Sequence, residues 1–400
     1  MPPPPAARDD SGVLALASQC VMCGLCLPHC PTYRLDRHEA ESPRGRIAIA
    51  RGLAAGSLQA SPAVIAHLDH CLACLACQSV CPSQVRYEEL LVQTRARLGA
   101  PRARRWLMRP GLLRPLARLG ALTRAERWVP RLAPWLPRSW QRIAREMPAV
   151  PVRPTREPEV STASRGSVTL FPGCVASVYD RDTLAGTRRL LVALGYRVHE
   201  PSATVCCGAL ALHGGDSEGA ARVAACTRAA LPEDAAHPVL VSASGCLGSL
   251  RDHTLKGGGY RVEDAAAFIA RDPGLAQLHF RPLSARAALH LPCTQASVGD
   301  GGVATRRLLA CIGGLAVLEL PVQPRCCGAA GSHFIAWPER ADRLREEKLA
   351  QVRAQAPDLV LTSNIGCRIF LGNALRRDAA PLEILHPLAL LARQLETGRP

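Results

Sequence analysis

The sequence predicts a chain of mixed α+β and α/β class: a small, mostly helical N-terminal module, a basic bridge, and two repeated α/β units built on parallel sheets. Three observations carry this expectation. Eight cysteines in the first 81 residues form two copies of one spacing. A stretch near the end of the first third is dense in arginine, proline and tryptophan. From about Gly166 the chain repeats itself with an offset of about 120 residues. Four hundred residues suffice for two or three domains with a real core. The expected boundaries are residues 1–98, 99–162, 163–282 and 283–400.

The N-terminal module is defined by its thiols. Cys20, Cys23, Cys26 and Cys30 form C-x-x-C-x-x-C-x-x-x-C before Pro31, and Cys71, Cys74, Cys77 and Cys81 repeat the run before Pro82. Three cysteines spaced by two residues wrap one tight turn and present three thiolates to a single iron–sulfur cube. The fourth, turned away by its proline, is free to ligate the other cube. Duplicated, the run signals two [4Fe–4S] clusters. Disulfides need an oxidising compartment, yet Met1–Asp10 holds four prolines and no apolar stretch of a secretory signal. Structural zinc closes at four ligands from paired knuckles, which leaves both Cys-Pro elements unexplained.

The net charge of +16 is concentrated in the bridge. Between Pro101 and Val160, fourteen arginines face four acidic residues, and Trp106, Trp128, Trp135 and Trp140 are four of the chain's five tryptophans. Apolar residues recur in short helical bursts such as Leu112, Leu113, Leu116, Leu119 and Leu122. We read short amphipathic helices broken by prolines. Docking of partner subunits, contact with a membrane surface and nucleic-acid binding compete with the plain reading of a solvated, arginine-rich linker. No recognised nucleic-acid module accompanies the charge, so nucleic acid is not expected as a partner. No stretch approaches the roughly 20 apolar residues of a membrane span. The expected location is cytoplasmic, with at most a peripheral contact on the inner face of a membrane.

The C-terminal half is a second duplication. Val168-Thr-Leu-Phe-Pro-Gly-Cys174 matches Ala287-Ala-Leu-His-Leu-Pro-Cys293, and Thr187-Arg-Arg-Leu-Leu191 recurs as Thr305-Arg-Arg-Leu-Leu309. Cys206-Cys207-Gly208 recurs as Cys326-Cys327-Gly328. Val239-Leu-Val-Ser-Ala-Ser-Gly-Cys246 recurs as Leu359-Val-Leu-Thr-Ser-Asn-Ile-Gly-Cys367. Apolar runs at 168–171, 196–199 and 239–242 alternate with amphipathic segments at 183–194 and 218–231, so each half reads as three strands and three helices in a parallel sheet. Each cysteine then follows a strand, and loops at the carboxyl ends of such strands converge on one edge. Cys207-Gly208 and Cys327-Gly328 are expected to lead into helices whose N–H groups favour thiolate, with glycine permitting close backbone approach. A metal or cluster site in each half is the sharp reading. Buried cysteines acting as small apolar residues are the plain one, and it suits Cys226 and Cys311, which do not repeat. His213 and His333 each lie six residues past their cysteine pair and stand as candidate hydrogen-bond donors or ligands.

Over nearly its whole length the chain resembles the iron–sulfur subunits of bacterial glycolate oxidase. The paired runs, Ser42-Pro-Arg-Gly-Arg46, Cys81-Pro-Ser-Gln-Val-Arg-Tyr87, Cys326-Cys-Gly-Ala-Ala-Gly331 and Ser363-Asn-Ile-Gly-Cys367 carry the resemblance. It implies a ferredoxin-like two-cluster domain followed by two cysteine-rich "CCG" domains, a type shared with heterodisulfide reductase and the anaerobic glycerol-3-phosphate dehydrogenase iron–sulfur subunit. By the two-cluster ferredoxin pattern, one cube takes Cys20, Cys23, Cys26 and Cys81, and the other takes Cys71, Cys74, Cys77 and Cys30. Arg44, Arg46 and Arg51 are expected to place positive charge near the cubes. The CCG domains imply a site at Cys174, Cys206, Cys207 and Cys246 and another at Cys293, Cys326, Cys327 and Cys367. In heterodisulfide reductase such domains end in C-x-x-C, but Ala243 and Asn364 replace the first cysteine of that ending here. A four-cysteine cubane cluster and a zinc ion remain equally compatible with each half.

The function implied is an electron relay inside an oxidoreductase complex. Glycolate, and D-lactate with it, is oxidised on the FAD of partner subunits, and the electrons pass through this chain toward a quinone or another acceptor. No Rossmann fingerprint, P-loop or nucleophile–base arrangement is found in the sequence, and no catalytic residue is assigned. The alternatives are the equivalent subunit for another 2-hydroxy acid or for glycerol-3-phosphate, or a heterodisulfide-reductase-like enzyme.

Overall fold

Short runs of valine, leucine and alanine set the two sheets. In the computed structural model, which describes residues 11–100, 115–116, 118–120, 122–148, 165–201, 203–232, 237–323 and 326–396, each half carries four parallel strands. Met1–Asp10 and, within the bridge, Trp106, Leu112 and Leu113 lie outside the described residues. The first sheet has the order β2-β1-β3-β4, with β1 Ser167–Phe171, β2 Arg197–His199, β3 Val239–Val241 and β4 Val262–Asp264. The second repeats it as β6-β5-β7-β8, with β5 Ala285–Leu289, β6 Leu315–Glu319, β7 Leu359–Leu361 and β8 Glu383–Leu385. The central strands are buried, as parallel strands covered on both faces must be. The sequence reading foresaw three strands per half. The fourth in each reads Val-Glu-Asp and Glu-Ile-Leu, so acidic residues replace the apolar run that marked the other strands.

The two halves share one core, and the packing is reciprocal. Helix Arg181–Ala193 of the first half crosses Pro387–Gln394 of the second, and helix Ala265–Arg271 of the first crosses Val303–Leu309 of the second. Because Thr187 and Thr305 are equivalent in the repeat, each half offers the same two helices to the other. Leu190, Leu191, Ile269, Leu308, Leu388 and Leu391 fill the seam. Gly186 permits the close crossing, since a Cβ there would come 2.9 Å from Ala392 Cβ. Arg368 of the second half pairs with Asp180 and Asp182 of the first.

The N-terminal module is a small helical cluster. Helices Ser11–Ser18, Pro43–Ala54 and Tyr87–Leu98 pack through Val13, Leu16, Ile47, Leu90 and Leu91. Ser42 caps the second of them by accepting from the Gly45 N–H, and Pro43 occupies its first turn, where no N–H is needed. The module is tied to the second half through Glu41. This carboxylate is 3% exposed and takes Arg46 Nη2 at 2.6 Å and Arg340 Nη2 at 3.0 Å, with the Nδ1 atoms of His67 and His70 each at 2.7 Å. Burial opposes its ionisation, yet His70, Arg46 and His67 outweigh that cost and hold it down to about 2. Toward the first half, Arg95 on helix Tyr87–Leu98 donates to the His213 carbonyl at 2.8 Å.

The bridge differs from a solvated linker over its last described stretch. Helix Arg138–Arg145 docks on the second half, where Arg142 donates to both Asp342 carboxylate oxygens at 2.9 and 2.8 Å. Buried Glu146 takes Arg345 Nη1 at 2.9 Å and Asn373 Nδ2 at 3.1 Å. Arg142, which reads as surface charge in one dimension, is thus paired with a carboxylate 200 residues away. Leu116, Leu119, Leu122, Trp128, Trp135 and Trp140 remain exposed. None of the described helices is long and apolar enough to cross a membrane.

The seam contact of His386 titrates. His386 caps helix Pro387–Gln394, its Nδ1 accepting from the Leu388 N–H and its Nε2 donating to the Ser242 carbonyl across the seam at 3.0 Å. Burial pushes its imidazolium from 6.5 down to about 4. The unfolded chain therefore binds more protons between these values, and stability falls as the pH drops from 6.5 toward 4, by on the order of 3 kcal/mol. Thermal melts across that range are expected to flatten in His386→Asn, which keeps a capping oxygen but cannot titrate.

Candidate functional site

The cysteine spacing dictates an unusual backbone in the module. Met22 and Gly24 adopt left-handed φ values of 58° and 84°, and Ala73 and Leu75 repeat the pattern at 48° and 57°. Alternation of this kind turns successive N–H groups inward and makes a concave anion nest. Left-handed Met, Ala and Leu are strained, and such strain persists where the surroundings over-determine it. Two clefts result. Cys20, Cys23, Cys26 and Cys81 line one, and Cys30, Cys71 and Cys74 line the other, while Cys77 lies on the wall of both. Pro31 starts a helix with Cys30 at its N-cap, which aims Cys30 away from its own run and into the second cleft.

Each cleft has a guanidinium beside it. Arg44 Nη1 donates to the Met22 carbonyl at 3.0 Å, bracing the first loop, and a Cβ on Gly24 would sit 2.9 Å from that nitrogen. Arg46, 1% exposed, lines the second cleft and donates to Thr32 Oγ1 at 2.9 Å, and Thr32 Oγ1 lies 3.3 Å from Cys30 Sγ. Arg51 is exposed. Burial pushes the Cys26 thiol up to about 11 and moves Cys74 and Cys77 well above their ordinary value. Thiols so placed ionise only when a cation takes the charge. The cysteines lining each cleft and the guanidinium beside them fit an anionic iron–sulfur cluster.

In the α/β halves the cysteines gather at the switch point, where the chain winds outward from the central strands. Cys174 follows β1, Cys206 and Cys207 follow β2, and Cys246 follows β3. Sγ of Cys174 lies 3.3 Å from that of Cys206, and Cys207 interacts with both Cys206 and Cys246. In the second half, Cys327 and Cys367 Sγ are 3.0 Å apart, and Cys293 interacts with Cys326. All eight thiols that the repeat singled out are thus brought together, four and four. The Gly208 and Gly328 N–H groups donate to Cys206 and Cys326 Sγ, each at 3.4 Å. A Cβ on Gly328 would collide with the Ala341 carbonyl oxygen at 2.4 Å, so glycine is required there. The expected helix after Gly208 is present as Ala209–Gly214, whereas Gly328 leads first into a turn before His333–Ala336.

The second half's thiols also touch the module. Leu72, Cys326 and Leu344 form one buried cluster to which Cys74 and Cys293 belong, and Cys74 and Cys326 feel each other's charge. The two halves' sites meet across a polar seam: Ser244 Oγ lies 3.0 Å from Thr294 Oγ1, and Asn364 Nδ2 donates to Thr294 Oγ1 at 3.2 Å. Asn364 caps helix Ile365–Leu375 with its Oδ1, and this is the use the position has found in place of a thiol.

His213 Nε2 points to Glu88 of the module at 3.6 Å, and His333 is buried within electrostatic reach of Arg340 and of His70 and Arg95 of the module. Both are docking contacts. The buried, apolar role expected for Cys226 does not hold, since it lies exposed on helix Ser217–Ala230, and half-buried Cys311 donates to the Arg307 carbonyl. Sequence reasoning missed His290, which is buried beside Cys327 and Cys367. It also missed the Glu41, His67 and His70 group. A signal for His290 was present, because histidine interrupts the repeat where the first half has Phe171.

Comparison with known proteins agrees with this geometry. A 4Fe-4S dicluster domain matches residues 16–85, and a cysteine-rich domain matches twice, over 168–251 and 287–372. The chain is 30% identical to the glycolate oxidase iron–sulfur subunit of Escherichia coli (strain K12), over 94% of both chains. The chain belongs to the glycolate oxidase iron–sulfur subunit family. It is 29% identical to a probable glycolate oxidase iron–sulfur subunit of Bacillus subtilis (strain 168), over 93% of this chain and 91% of that one. Lactate utilization protein A of Halalkalibacterium halodurans is 25% identical over 58% of this chain and 98% of its own length. Iron–sulfur chemistry is thereby supported by the family as well as by the thiol geometry.

Arg44 and Arg46 separate the two clefts experimentally. Arg44→Gln removes a positive charge beside the first cleft alone, so reductive titration followed by EPR should show one potential lowered by some tens of millivolts and the other unmoved. Two unmoved potentials would show that Arg44 acts only as a brace.

Proposed function

We propose that this chain is the electron-transfer subunit of a glycolate-oxidising complex. Electrons released on the FAD of partner subunits, as glycolate becomes glyoxylate, pass through it toward a quinone or another acceptor. D-lactate is a second substrate for the same partners, and the relatives named for lactate utilization favour a lactate beside glycolate. We assign Cys20, Cys23, Cys26 and Cys81 to one [4Fe–4S] cluster and Cys30, Cys71, Cys74 and Cys77 to the other. Each α/β half then holds one further iron–sulfur or zinc centre on its four repeated cysteines.

The observation that carries this reading is that the four thiol sites form an unbroken line. Cys77 is common to the walls of both clefts, Cys74 packs with Cys293 and Cys326, and the seam of Ser244, Thr294 and Asn364 joins the two halves. Bound iron–sulfur clusters supply single-electron storage with no group transfer. The protein's own residues hold the thiolates, exclude water from the inner sites and fix their order. The first cleft is the outermost: Cys23 is exposed, and Val21, Met22 and Leu25 beside it in the chain are 68%, 44% and 58% exposed. Exposed apolar residues beside an exposed thiol suit the docking of an electron-donating subunit. We place the complex in the cytoplasm, with Trp128, Trp135, Trp140 and the neighbouring arginines as its contact with the inner face of a membrane.

The test uses the tagged chain purified anaerobically with its partners. Glycolate added without oxygen should bleach the iron–sulfur absorbance. Paired Val21→Asp and Leu25→Asp changes should slow that bleaching by about tenfold or more, while flavin reduction by glycolate stays fast. Bleaching by dithionite but by neither glycolate nor D-lactate would refute the assignment.

A further inference from the structure

The halves repeat each other's thiols but not what faces them. His290 directly follows β5 and is 1% exposed. Its backbone N–H extends the ladder by donating to the Leu361 carbonyl at 2.9 Å, so the ring is fixed at the carboxyl end of two adjacent central strands. Nδ1 lies 3.0 Å from Thr362 Oγ1. Nε2 is buried and has no hydrogen-bond partner among the described residues. A ring nitrogen of His290 and the sulfurs of Cys327 and Cys367 all lie within 4.8 Å of one another.

The first half has an apolar counterpart. Phe171 ends β1 at the equivalent position, is 2% exposed, and packs in the cluster that includes Cys207 and Cys246. The same place beside the same pair of thiols thus holds a phenyl ring in one half and an imidazole in the other. A buried ring nitrogen left unpaired costs on the order of 1–3 kcal/mol. Phenylalanine would fill the space without that cost, so the imidazole is explained by something for Nε2 to bind. A proton on Nδ1, donated to Thr362 Oγ1, leaves the Nε2 lone pair free for a metal, which is the usual way a second hydrogen bond orients a ligating imidazole. Lys348, 2% exposed, adds a positive charge within electrostatic reach of Cys326, Cys327 and Cys367.

We propose that His290 is a ligand of the second-half centre through Nε2, so that the two halves hold chemically different centres, all-thiolate in the first and mixed nitrogen–sulfur in the second. The proposal rests on the reading that each half binds a metal centre. Imidazole and thiolate donors together suit both zinc and iron–sulfur species. If the centre is an iron–sulfur cluster, a neutral nitrogen donor sets it at a higher potential than its all-thiolate twin, as histidine does in Rieske centres.

The experiment uses the full chain, purified without oxygen, with iron and zinc counted per chain. X-ray absorption at the metal found in the second half, and pulsed EPR of the dithionite-reduced protein where that metal is iron, report nitrogen ligation. The parent should show an imidazole nitrogen that disappears in His290→Phe, the first half's own solution. The second site of that variant should release metal to a chelator about tenfold faster or more. His290→Cys should keep the metal and replace the nitrogen signal by sulfur, which separates ligation from a folding defect. Absence of an imidazole nitrogen in the parent, or parental metal content and release rate in His290→Phe, would overturn the proposal. Cys327→Ser distinguishes the two levels. If it loses metal while His290→Phe does not, only the histidine assignment fails; if neither loses metal, the centre itself is refuted.

Discussion

Buried thiols that cannot ionise alone are the constraint on which the rest of the molecule depends. Burial pushes Cys26 up to about 11 and moves Cys74 and Cys77 well above the ordinary thiol value. Hydrogen bonds from Cys326 to Cys327 and from Cys327 to Cys367, with burial, raise Cys326 and Cys327 well above it too. A metal that accepts these sulfurs supplies the missing positive charge and converts mutual repulsion into shared ligation. The left-handed Met22, Ala73 and Leu75 belong to the same balance, since each is strained unless the loop closes around something. Local backbone, side-chain protonation and the fold of the N-terminal module are therefore coupled to one event, metal binding.

The duplicated half shows how a repeat is put to unequal use. Reciprocal helix packing makes the seam nearly symmetric, with Gly186 permitting the closest approach. The module breaks that symmetry. Against the second half it brings thiol to thiol through Cys74 and Cys293, and against the first it brings Arg95 and Glu88 to His213. The first half's thiols have one another as their charged neighbours, whereas Cys326 also feels Cys74. Two equivalent folds thus occupy different places in the line of sites.

Much of this was legible in the chain itself, for physical reasons. Metal ligation demands fixed spacings, so the two C-x-x-C-x-x-C-x-x-x-C runs announce their chemistry, and a repeated strand–cysteine order places four thiols on one sheet edge. Strands such as Val262–Asp264 and Glu383–Leu385 carry acidic residues in place of an apolar run and so leave no strand signal. Pairings across long separations, such as Arg142 with Asp342 or Glu41 with Arg340, leave no mark in either segment alone. His213 and His333 repeat in register because both halves dock the same module, and position alone does not distinguish docking from ligation. His290 left the opposite signal, a break in the repeat, and its meaning depended on seeing Cys367 beside it.

Metal content bears most directly on the central claim. Iron, zinc and acid-labile sulfide measured per chain on anaerobically purified protein should give a brown sample with about eight irons from the two clefts and additional iron or zinc from the α/β halves. Colourless, metal-free protein that is nevertheless folded would contradict the account.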